Sequence, residues 1–301
     1  MSTTLSKKSR IGYCLFSDPD DKTIWSGIQY FIYQEIKKNF NNVIPIRPDH
    51  SLNRQVNDNF FENLLFFKKI SPLIECEIRK NKCDVFIIPS NFIPIFLDTD
   101  IPIFIISDSA FNRDAAYLSF CFPGGLKPYV RYWKVIRREL LNKVDKFFFP
   151  SEWSCESLIR NNAFDKDRLH IMPFGANLEM TCSAKEVLCQ REKISDVCRL
   201  LFVGMDWIRK GGRIAFDTMV ELNKRGLNTE LIVCGSPPPD EIRHNKLKII
   251  GRLNKNDKKQ HDMLNDLYKN ANFLFVPSRA EAFGIVFCEA AAWGLPVIST
   301  K

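Results

Sequence analysis

The sequence predicts an α/β protein built from two tandem domains, each with a parallel sheet. Short apolar runs rich in β-branched and aromatic residues recur along the chain, and longer stretches with helical periodicity separate them. A chain of 301 residues is also more naturally two domains than one. Two such domains in tandem are expected to face each other across a ligand cleft at the carboxyl ends of their strands.

The strand-like runs form two series. The first is RIGYCLF, DVFIIP, IPIFIIS, DKFFFP and RLHIMP, and the second is CRLLFVG, TELIVCG, KLKIIG, NFLFVP and LPVIS. The segment 181–197 between the two series contains many charges and no strand-like run. We therefore expect a first domain over 1–180, a linker over 181–197 and a second domain over 198–301.

The second domain is shorter than the first and ends directly after a predicted strand. A parallel strand that lacks its following helix leaves one face of the sheet bare. We therefore expect this domain to be incomplete and the chain to be truncated at its C-terminus.

The composition is that of a soluble globular protein, with 45% apolar and 26% charged residues. The apolar runs are too short to span a bilayer, so no transmembrane helix is expected. Ten scattered cysteines without a C-x-x-C pair indicate a reduced, cytoplasmic compartment with the cysteines as small core residues. The net charge of +8 permits an anionic partner. Because no clustered basic stripe accompanies it, nucleic acid is not expected.

The stretch LLFVGMDWIRKGGRIAFDTMV, residues 200–220, is predicted to be a strand, a glycine-containing loop and a helix. Glycines such as Gly204 let the backbone approach a ligand, and the start of the following helix favours an anion. Arg209 and Lys210 in this loop could neutralise a diphosphate. An ordinary strand-to-helix turn with a solvated basic loop explains this stretch equally well.

The stretch PSRAEAFGIVFCEAAAWGLPVI, residues 277–298, contains two acidic residues in an apolar setting. Glu281 lies in the loop after a predicted strand, and Gly284 opens a short helix. Glu289 lies eight positions after Glu281, on the second turn of that helix. An ionised carboxylate is costly to bury, so Glu289 requires a partner that the local sequence does not supply. A ribose diol offers two donors to one carboxylate, and a basic side chain from elsewhere in the chain is the alternative.

This closing stretch resembles the donor-site signature of retaining glycosyltransferases of the GT-B fold, family 4, the glycosyl transferases group 1. The shared pattern is P-S, a Glu, F-G, then E-A, a Gly and P-V-I. The resemblance implies two Rossmann-like domains facing a cleft. It also implies that Glu281 contacts the donor sugar and stabilises the transition state, with an exposed loop carboxylate as the alternative, and that Glu289 binds the ribose hydroxyls. The other donor-binding positions that it implies here are Ser278, Phe283, Gly284 and Ile285.

FVGMDWIRKGG resembles the family segment whose basic residues bind the donor diphosphate. The resemblance assigns this role to Arg209 and Lys210 beside Gly204, and with Glu281 they form the expected catalytic set. The Arg that usually follows the glycine is Met205 here. Arg209 is then expected to take over part of its role, or the diphosphate is bound more weakly. Leu253, in GRLNKND, is expected to pack on the base.

The first domain offers two further matches. SDPDDKTIWSGIQYFI resembles the family's first glycine loop, so Ser26 and Gly27 are expected to approach the donor phosphates or the acceptor. A simple helix start is the alternative for these two residues. Many members have a histidine after a middle strand of this domain, where this chain has Ser107 and Asp108. We place Asp108 with Ser26 on the acceptor side, and none of the four histidines is a catalytic candidate.

These matches imply an enzyme that moves a sugar from a nucleotide-diphosphate sugar to a glycan or lipid-linked acceptor, in surface polysaccharide or glycoconjugate synthesis. The nucleotide sugar is a substrate, so no cofactor is expected. Acidic pairs such as DPD and DTD are typical of turns, so no metal is expected either. A catalytically silent nucleotide- or partner-binding module of the same fold is the alternative function.

The basic, aromatic stretch KPYVRYWKVIRRELLNKV, residues 127–144, could contact anionic lipid. It would then hold the protein peripherally at the inner membrane face, on the cytoplasmic side. An ordinary amphipathic surface helix is the alternative for this stretch.

Overall fold

A computed structural model describes most of the chain, and the structural statements below concern the described residues. These are residues 5–47, 60–89, 93–108, 138–159, 165–179, 183–191 and 196–300. The chain divides into two compact units, Met1–Pro173 and Phe174–Lys301. The segment 181–197, expected to be a linker, is therefore grouped with the second unit, and it includes the helix Ala184–Arg191.

The first unit contains a six-stranded parallel sheet of order β2-β1-β3-β4-β5-β6. Its strands are β1 (Arg10–Cys14), β2 (Asn42–Ile46), β3 (Val85–Ile88), β4 (Ile103–Ile106), β5 (Lys146–Phe149) and β6 (Leu169–Ile171). Its α-helices are Ile28–Asn39, Phe60–Lys80 and Glu152–Ile159, and its short 3-10 helices are Ile24–Gly27, Ile93–Phe96 and Lys166–Arg168.

Central strands β3 and β4 are buried along their whole length. A parallel sheet covered on both faces favours such continuous apolar runs. The helix Phe60–Lys80 contributes Phe67, Ile70 and Ile74 to the same core, at the three- and four-residue spacing of one helix face. The alternation of strand-like and helical patterns in the sequence thus predicted this layer correctly.

Strand β2 was missed by the sequence analysis. Its residues NVIPI include Pro45, which cannot donate to a sheet ladder and lowers the strand signal. β2 lies at the edge of the sheet, where it pairs with β1 alone. A proline is tolerated at an edge because one side of the strand needs no ladder partner.

The second unit contains a five-stranded parallel sheet of order β11-β10-β7-β8-β9. Its strands are β7 (Cys198–Gly204), β8 (Thr229–Gly235), β9 (Leu247–Gly251), β10 (Phe273–Phe275) and β11 (Val297–Ile298). Its other helices are Gly212–Lys224, Lys258–Asn270 and Ile285–Ala292. Every strand-like run noted in the sequence forms one of these strands or a strand of the first unit, which confirms the predicted fold class of two parallel-sheet α/β domains.

The order of the second sheet reverses at β7. The chain goes from β7 to its neighbour β8 on one side, and it returns later to β10 on the other side. The loops that follow β7 and β10 therefore leave the same edge of the sheet side by side. Ligands of open α/β sheets bind at such a switch point. Both stretches that carried chemistry in the sequence are located there.

The cysteines that the structure describes are free thiols, and Cys14, Cys83, Cys155 and Cys234 are buried. None of the described helices is long and apolar enough to cross a membrane.

Gly235 lies at the end of β8, where the backbone passes close to the end of β7 beside this switch point. Its φ is +121°, and a Cβ atom there would overlap the carbonyl oxygen of Gly204 at the end of β7. This close approach allows the Ser236 amide to donate to the Gly204 oxygen at 2.9 Å. The Ser236 hydroxyl donates to the Met205 oxygen at 2.6 Å. Gly235 therefore fixes the start of the loop after β7.

Replacing Gly235 by alanine is expected to lower the free energy of unfolding by about 3–5 kcal/mol, because a left-handed backbone and a backbone overlap add. Gly226→Ala is the matched control, since Gly226 also has a positive φ, of +87°, but no atom within 4 Å of the added Cβ. It should cost about 1–2 kcal/mol. Urea denaturation of the two variants measures the difference, and equal losses would contradict the role given to Gly235.

Candidate functional site

Backbone contacts lock together the loops after β7 and β10. The amide of Arg279 donates to the carbonyl oxygen of Arg209 at 2.8 Å. Gly211 has a φ of +76°, and a Cβ atom there would overlap the carbonyl group of Pro277. The glycine is therefore required where the two loops touch. Side chains that are about seventy residues apart in sequence become neighbours as a result.

An ion pair between Lys210 and Glu281 lies at this junction. The Nζ atom of Lys210 donates to Oε2 of Glu281, which also accepts from the hydroxyl of Ser278 at 3.4 Å. Lys210 is 8% exposed. Nη1 of Arg209 lies 3.7 Å from Oε1 of Glu281 and donates to the Ala280 carbonyl at 3.1 Å. The structure thus brings together the three residues of the expected catalytic set.

Gly204 makes room for Lys210. A Cβ atom at Gly204 would lie 2.9 Å from Cγ of Lys210, so the end of β7 accommodates the aliphatic part of the lysine side chain. Burial lowers the pKa of Lys210, and the nearby Glu281 carboxylate offsets part of this effect. A lysine in such a setting is poorly hydrated, so it interacts strongly with a neighbouring anion.

Asp206 is a member of this cluster that the sequence analysis missed. Its Oδ1 accepts from the Arg209 amide at 2.9 Å, and its Oδ2 lies 3.5 Å from Nε of Arg209. These contacts orient the Arg209 side chain within the loop. An aspartate three residues before the basic pair is a turn-forming signal that could have identified it. Met205, where the family usually has arginine, is 54% exposed and takes no part in these contacts.

Two helices begin next to the ion pair. Gly211 caps the helix Gly212–Lys224 directly after Lys210, and Gly284 caps the helix Ile285–Ala292 three residues after Glu281. The first turn of each helix carries amides without an intrahelical acceptor and the positive end of the helix dipole. This arrangement can stabilise an anion beside the loops.

Glu289 is 2% exposed, and both of its carboxylate oxygens have partners. Oε1 lies 2.5 Å from Nζ of Lys255, which follows β9, and Oε2 accepts from the Tyr268 hydroxyl at 2.7 Å. Of the two partners that the sequence allowed, a ribose or a basic side chain from elsewhere, the structure contains the basic side chain. Tyr268 adds a contact that the local sequence of the helix Ile285–Ala292 did not reveal.

The surroundings of Glu289 are apolar and tightly packed. Burial and the Glu289 charge raise the pKa of Tyr268 well above its usual value. The same two causes raise the pKa of Cys234 to about 11.

Phe283 packs edge-on against Phe174 at a ring distance of 5.3 Å. Of the other expected donor-binding residues, Ile285 is buried and Leu253 is half-buried against the core of the second unit.

The candidate residues of the first unit also lie close together. Trp25, Ser26 and Gly27 have successive φ values of 50°, 57° and 90° before the helix Ile28–Asn39. A left-handed backbone at two residues other than glycine stores strain of about 1–3 kcal/mol each, which is typical of functional sites. The indole of Trp25 donates to Oδ2 of Asp108 at 3.3 Å. Ser26 is exposed at this turn, so its hydroxyl can reach a ligand.

The remaining candidates contribute less. His170 lies 3.3 Å from Nζ of Lys146, and burial lowers its pKa. His50 and residues 127–137 of the basic stretch lie outside the described residues. Within the described part of the chain, no three His, Cys, Asp or Glu residues cluster as a metal site would require. The expectations about metal and cofactor therefore stay predictions.

The Lys210–Glu281 contact is expected to give a coupling free energy of about 1–3 kcal/mol in a double-mutant cycle with Lys210→Met and Glu281→Gln. The reason is that Lys210 is buried and weakly screened by water. Denaturant unfolding of the wild type, both single variants and the double variant measures this coupling. The exposed pair of Arg213 and Asp217 is the control. A coupling no larger than that of the control would show that the buried contact is not formed in solution.

The pH dependence of stability provides a second test of Lys210. Because its pKa is lowered on folding, the unfolded chain binds more protons between the lowered value and about 10.4. The free energy of unfolding of the wild type should therefore rise with pH in this window relative to Lys210→Met. Lys258 is the control, since a hydrogen bond to Asp262 raises its pKa and reverses the sign at high pH. If the free energy of unfolding of the wild type does not rise relative to that of Lys210→Met between pH 7 and 10, the burial of Lys210 is contradicted.

Comparisons with known proteins identify similar sequences and folds. Residues 198–301 match the model of the family described as Glycosyl transferases group 1. D-inositol 3-phosphate glycosyltransferase of Corynebacterium glutamicum (strain R) is 26% identical over 182 residues, which cover 56% of this chain and 44% of the relative. The lipopolysaccharide glucosyltransferase WaaG of Escherichia coli (strain K12) is 29% identical over 143 residues, which cover 45% of this chain and 38% of WaaG. The matches thus span less than half the length of these curated relatives.

A solved structure extends the similarity to both units. Sucrose-phosphate synthase from Thermosynechococcus elongatus superposes with a TM-score of 0.67 at 16% identity, over 97% of this chain and 81% of the synthase chain. At this identity the likeness is one of fold. Residues 198–301 are therefore a domain that matches the glycosyl transferases group 1 family, and the chain has the α/β fold with two parallel sheets, GT-B, of such structures.

Proposed function

We propose that this chain is a retaining glycosyltransferase of family 4 that moves a sugar from a nucleotide-diphosphate sugar to a glycan or lipid-linked acceptor. The observation that carries this proposal is the ion pair of the buried Lys210 with the partly buried Glu281 at the switch point of the second sheet. It lies inside the segment that matches the glycosyl transferases group 1 family. The acidic and basic residues of two separate sequence motifs meet there.

The cationic side of this cluster suits a diphosphate. Lys210 and Arg209 are adjacent, and the helix Gly212–Lys224 begins directly after them. Negative charge accumulates on the diphosphate as its bond to the sugar breaks, and fixed cations stabilise that charge. A buried lysine serves better than an exposed one because little water competes with the phosphate.

The carboxylate of Glu281 suits the sugar. The anomeric carbon becomes positively charged, like an oxocarbenium ion, as the diphosphate leaves. A carboxylate beside it lowers the energy of that state. In the proposed reaction the bond from this carbon to the diphosphate breaks and a bond to the acceptor hydroxyl oxygen forms. The hydroxyl proton passes to the departing diphosphate, so that atoms and charge balance.

The nucleoside end is assigned to Glu289, with Leu253 against the base and Phe283 nearby. Glu289 lies about one helical turn after the start of the helix Ile285–Ala292, in the same element that follows Glu281. The acceptor is assigned to the first unit, around Ser26 and Asp108. A peripheral membrane contact through residues 127–144, on the cytoplasmic side, accompanies this assignment for a lipid-linked acceptor.

The acceptor class draws support from the relatives. WaaG is named for lipopolysaccharide and the Corynebacterium relative for inositol 3-phosphate. A role in surface polysaccharide or glycoconjugate synthesis fits these names. A catalytically silent nucleotide-binding module is the second candidate, and the exposed Met205 favours it because the usual arginine is missing from the diphosphate loop.

Turnover of UDP-, GDP- and ADP-sugars tests the proposal. In the full chain, Glu281→Gln and Lys210→Met should each lower kcat for the donor that is used by about 10²–10³-fold, the usual cost of removing one charge-stabilising group. Lys258→Met is the control because Lys258 is exposed and pairs with Asp262 outside the site. Its kcat should equal that of the wild type.

Three outcomes separate the candidate functions. Transfer that survives in Glu281→Gln and Lys210→Met would contradict the site. Calorimetric binding of a nucleotide without turnover by the wild type would favour the silent module. The product's anomeric configuration, read by NMR, tests retention, since an inverted product would exclude a retaining enzyme.

A further inference from the structure

Glu289 is held from two directions, by the fully buried Tyr268 and by Lys255, whose side chain is 12% exposed. Tyr268 belongs to the helix Lys258–Asn270 and Lys255 to the turn before it, whereas Glu289 belongs to the helix Ile285–Ala292. Each donor takes a different carboxylate oxygen, at 2.7 Å for the Tyr268 hydroxyl and 2.5 Å for Nζ of Lys255. The two contacts together fix both the position and the rotation of the carboxylate plane.

The donors themselves have little freedom. Tyr268 is fully buried in the core of the second unit, with its ring beyond the reach of solvent. Lys255 also lies 3.5 Å from the carbonyl oxygen of Asn177, itself a buried residue. Its positive charge lies 2.5 Å from the Glu289 carboxylate and compensates it, so no charged ligand is required there. A neutral ligand therefore fits here.

The acceptor capacity of Glu289 is only half used by these contacts. An ionised carboxylate offers about four lone-pair directions, two on each oxygen. Tyr268 and Lys255 occupy one direction on each oxygen. One direction on each oxygen thus remains, which matches the two adjacent hydroxyls of a ribose.

We propose that Lys255 and Tyr268 are positioning residues that orient Glu289 to accept from both ribose hydroxyls, and that they restrict the donor to ribonucleotides. This inference rests on the proposed function, since it presumes a nucleotide donor at this site. Neither residue touches the ribose. They act by holding the remaining lone pairs of Glu289 at a separation and angle that a diol satisfies and a deoxyribose does not.

The test is a ratio of affinities. UDP, GDP and ADP are screened by calorimetry on the full chain, and the tightest binder is compared with its 2′-deoxy and 3′-deoxy counterparts. The wild type should bind each deoxynucleotide about tenfold more weakly, the usual effect of one hydrogen bond to a charged group. In Tyr268→Phe this ratio should fall to about twofold or less.

A matched variant separates positioning from stability. Tyr13→Phe removes a hydroxyl that donates to the Gln29 carbonyl from an equally buried ring in the first unit. It should lose stability much as Tyr268→Phe does, yet keep the tenfold ratio. Lys255→Met should also lower the ratio, whereas Lys255→Arg, which keeps the charge and a donor, should restore most of it. The arginine variant keeps the test usable if Lys255→Met does not fold.

The outcomes for the two proposals are distinct. A tenfold ratio in the wild type that persists in Tyr268→Phe and Lys255→Met would overturn the positioning role and leave the proposed function standing. A wild type that binds ribo- and deoxynucleotides equally would overturn the ribose contact of Glu289 as well. A wild type that binds none of the three nucleotides would overturn the proposed function itself.

Discussion

The parallel pairing of β10 with β7 is the constraint on which the candidate site of the second unit depends. It aligns Phe273 with Leu200 and Leu274 with Leu201, so that both strands end at the same edge of the sheet. The loops that follow then run side by side, and the Arg279–Arg209 backbone bond and the Gly211 contact join them. Without this pairing, the Lys210 and Glu281 side chains would not be neighbours.

The two glutamates of the closing motif lie in different environments. Glu281 is part of a partly buried cluster with two cations, a serine hydroxyl and a second carboxylate, where the loops emerge from the sheet. Glu289 is buried, and one lysine and one tyrosine each donate to one of its oxygens. The first arrangement suits a group whose charge changes during a reaction. The second suits a fixed acceptor whose geometry must not vary.

The first unit shows a related division between frame and site. Fully buried strands β3 and β4 form a rigid sheet, and the candidate residues lie on loops at its carboxyl edge. The left-handed turn at Trp25 and Ser26 is unfavourable by itself, and the Trp25 contact with Asp108 helps to hold it in place. The stability of the buried sheet thus offsets the energetic cost of this strained loop.

The sequence by itself determined the strands, the helix starts and the loops that carry chemistry. Apolar periodicity and glycine positions are local properties, and these are what periodicity and loop motifs report. Strand β2 was not predicted because Pro45 interrupts the strand-like pattern of the sequence. The edge of the sheet nevertheless tolerates this proline. The sequence also showed that Glu289 needs a partner, because its neighbours in the helix are apolar.

The tertiary structure decided which groups meet. Lys210 and Glu281 are 71 residues apart in sequence, Lys255 and Glu289 are 34 apart, and Tyr268 and Glu289 are 21 apart. No local pattern encodes such pairs, since strand order and helix packing place them together. For the same reason the contact of Tyr268 with Glu289 was not predicted, although Tyr268 is ordinary in its own segment. The sequence shows that Glu289 needs a partner, and the fold decides which residues are its partners.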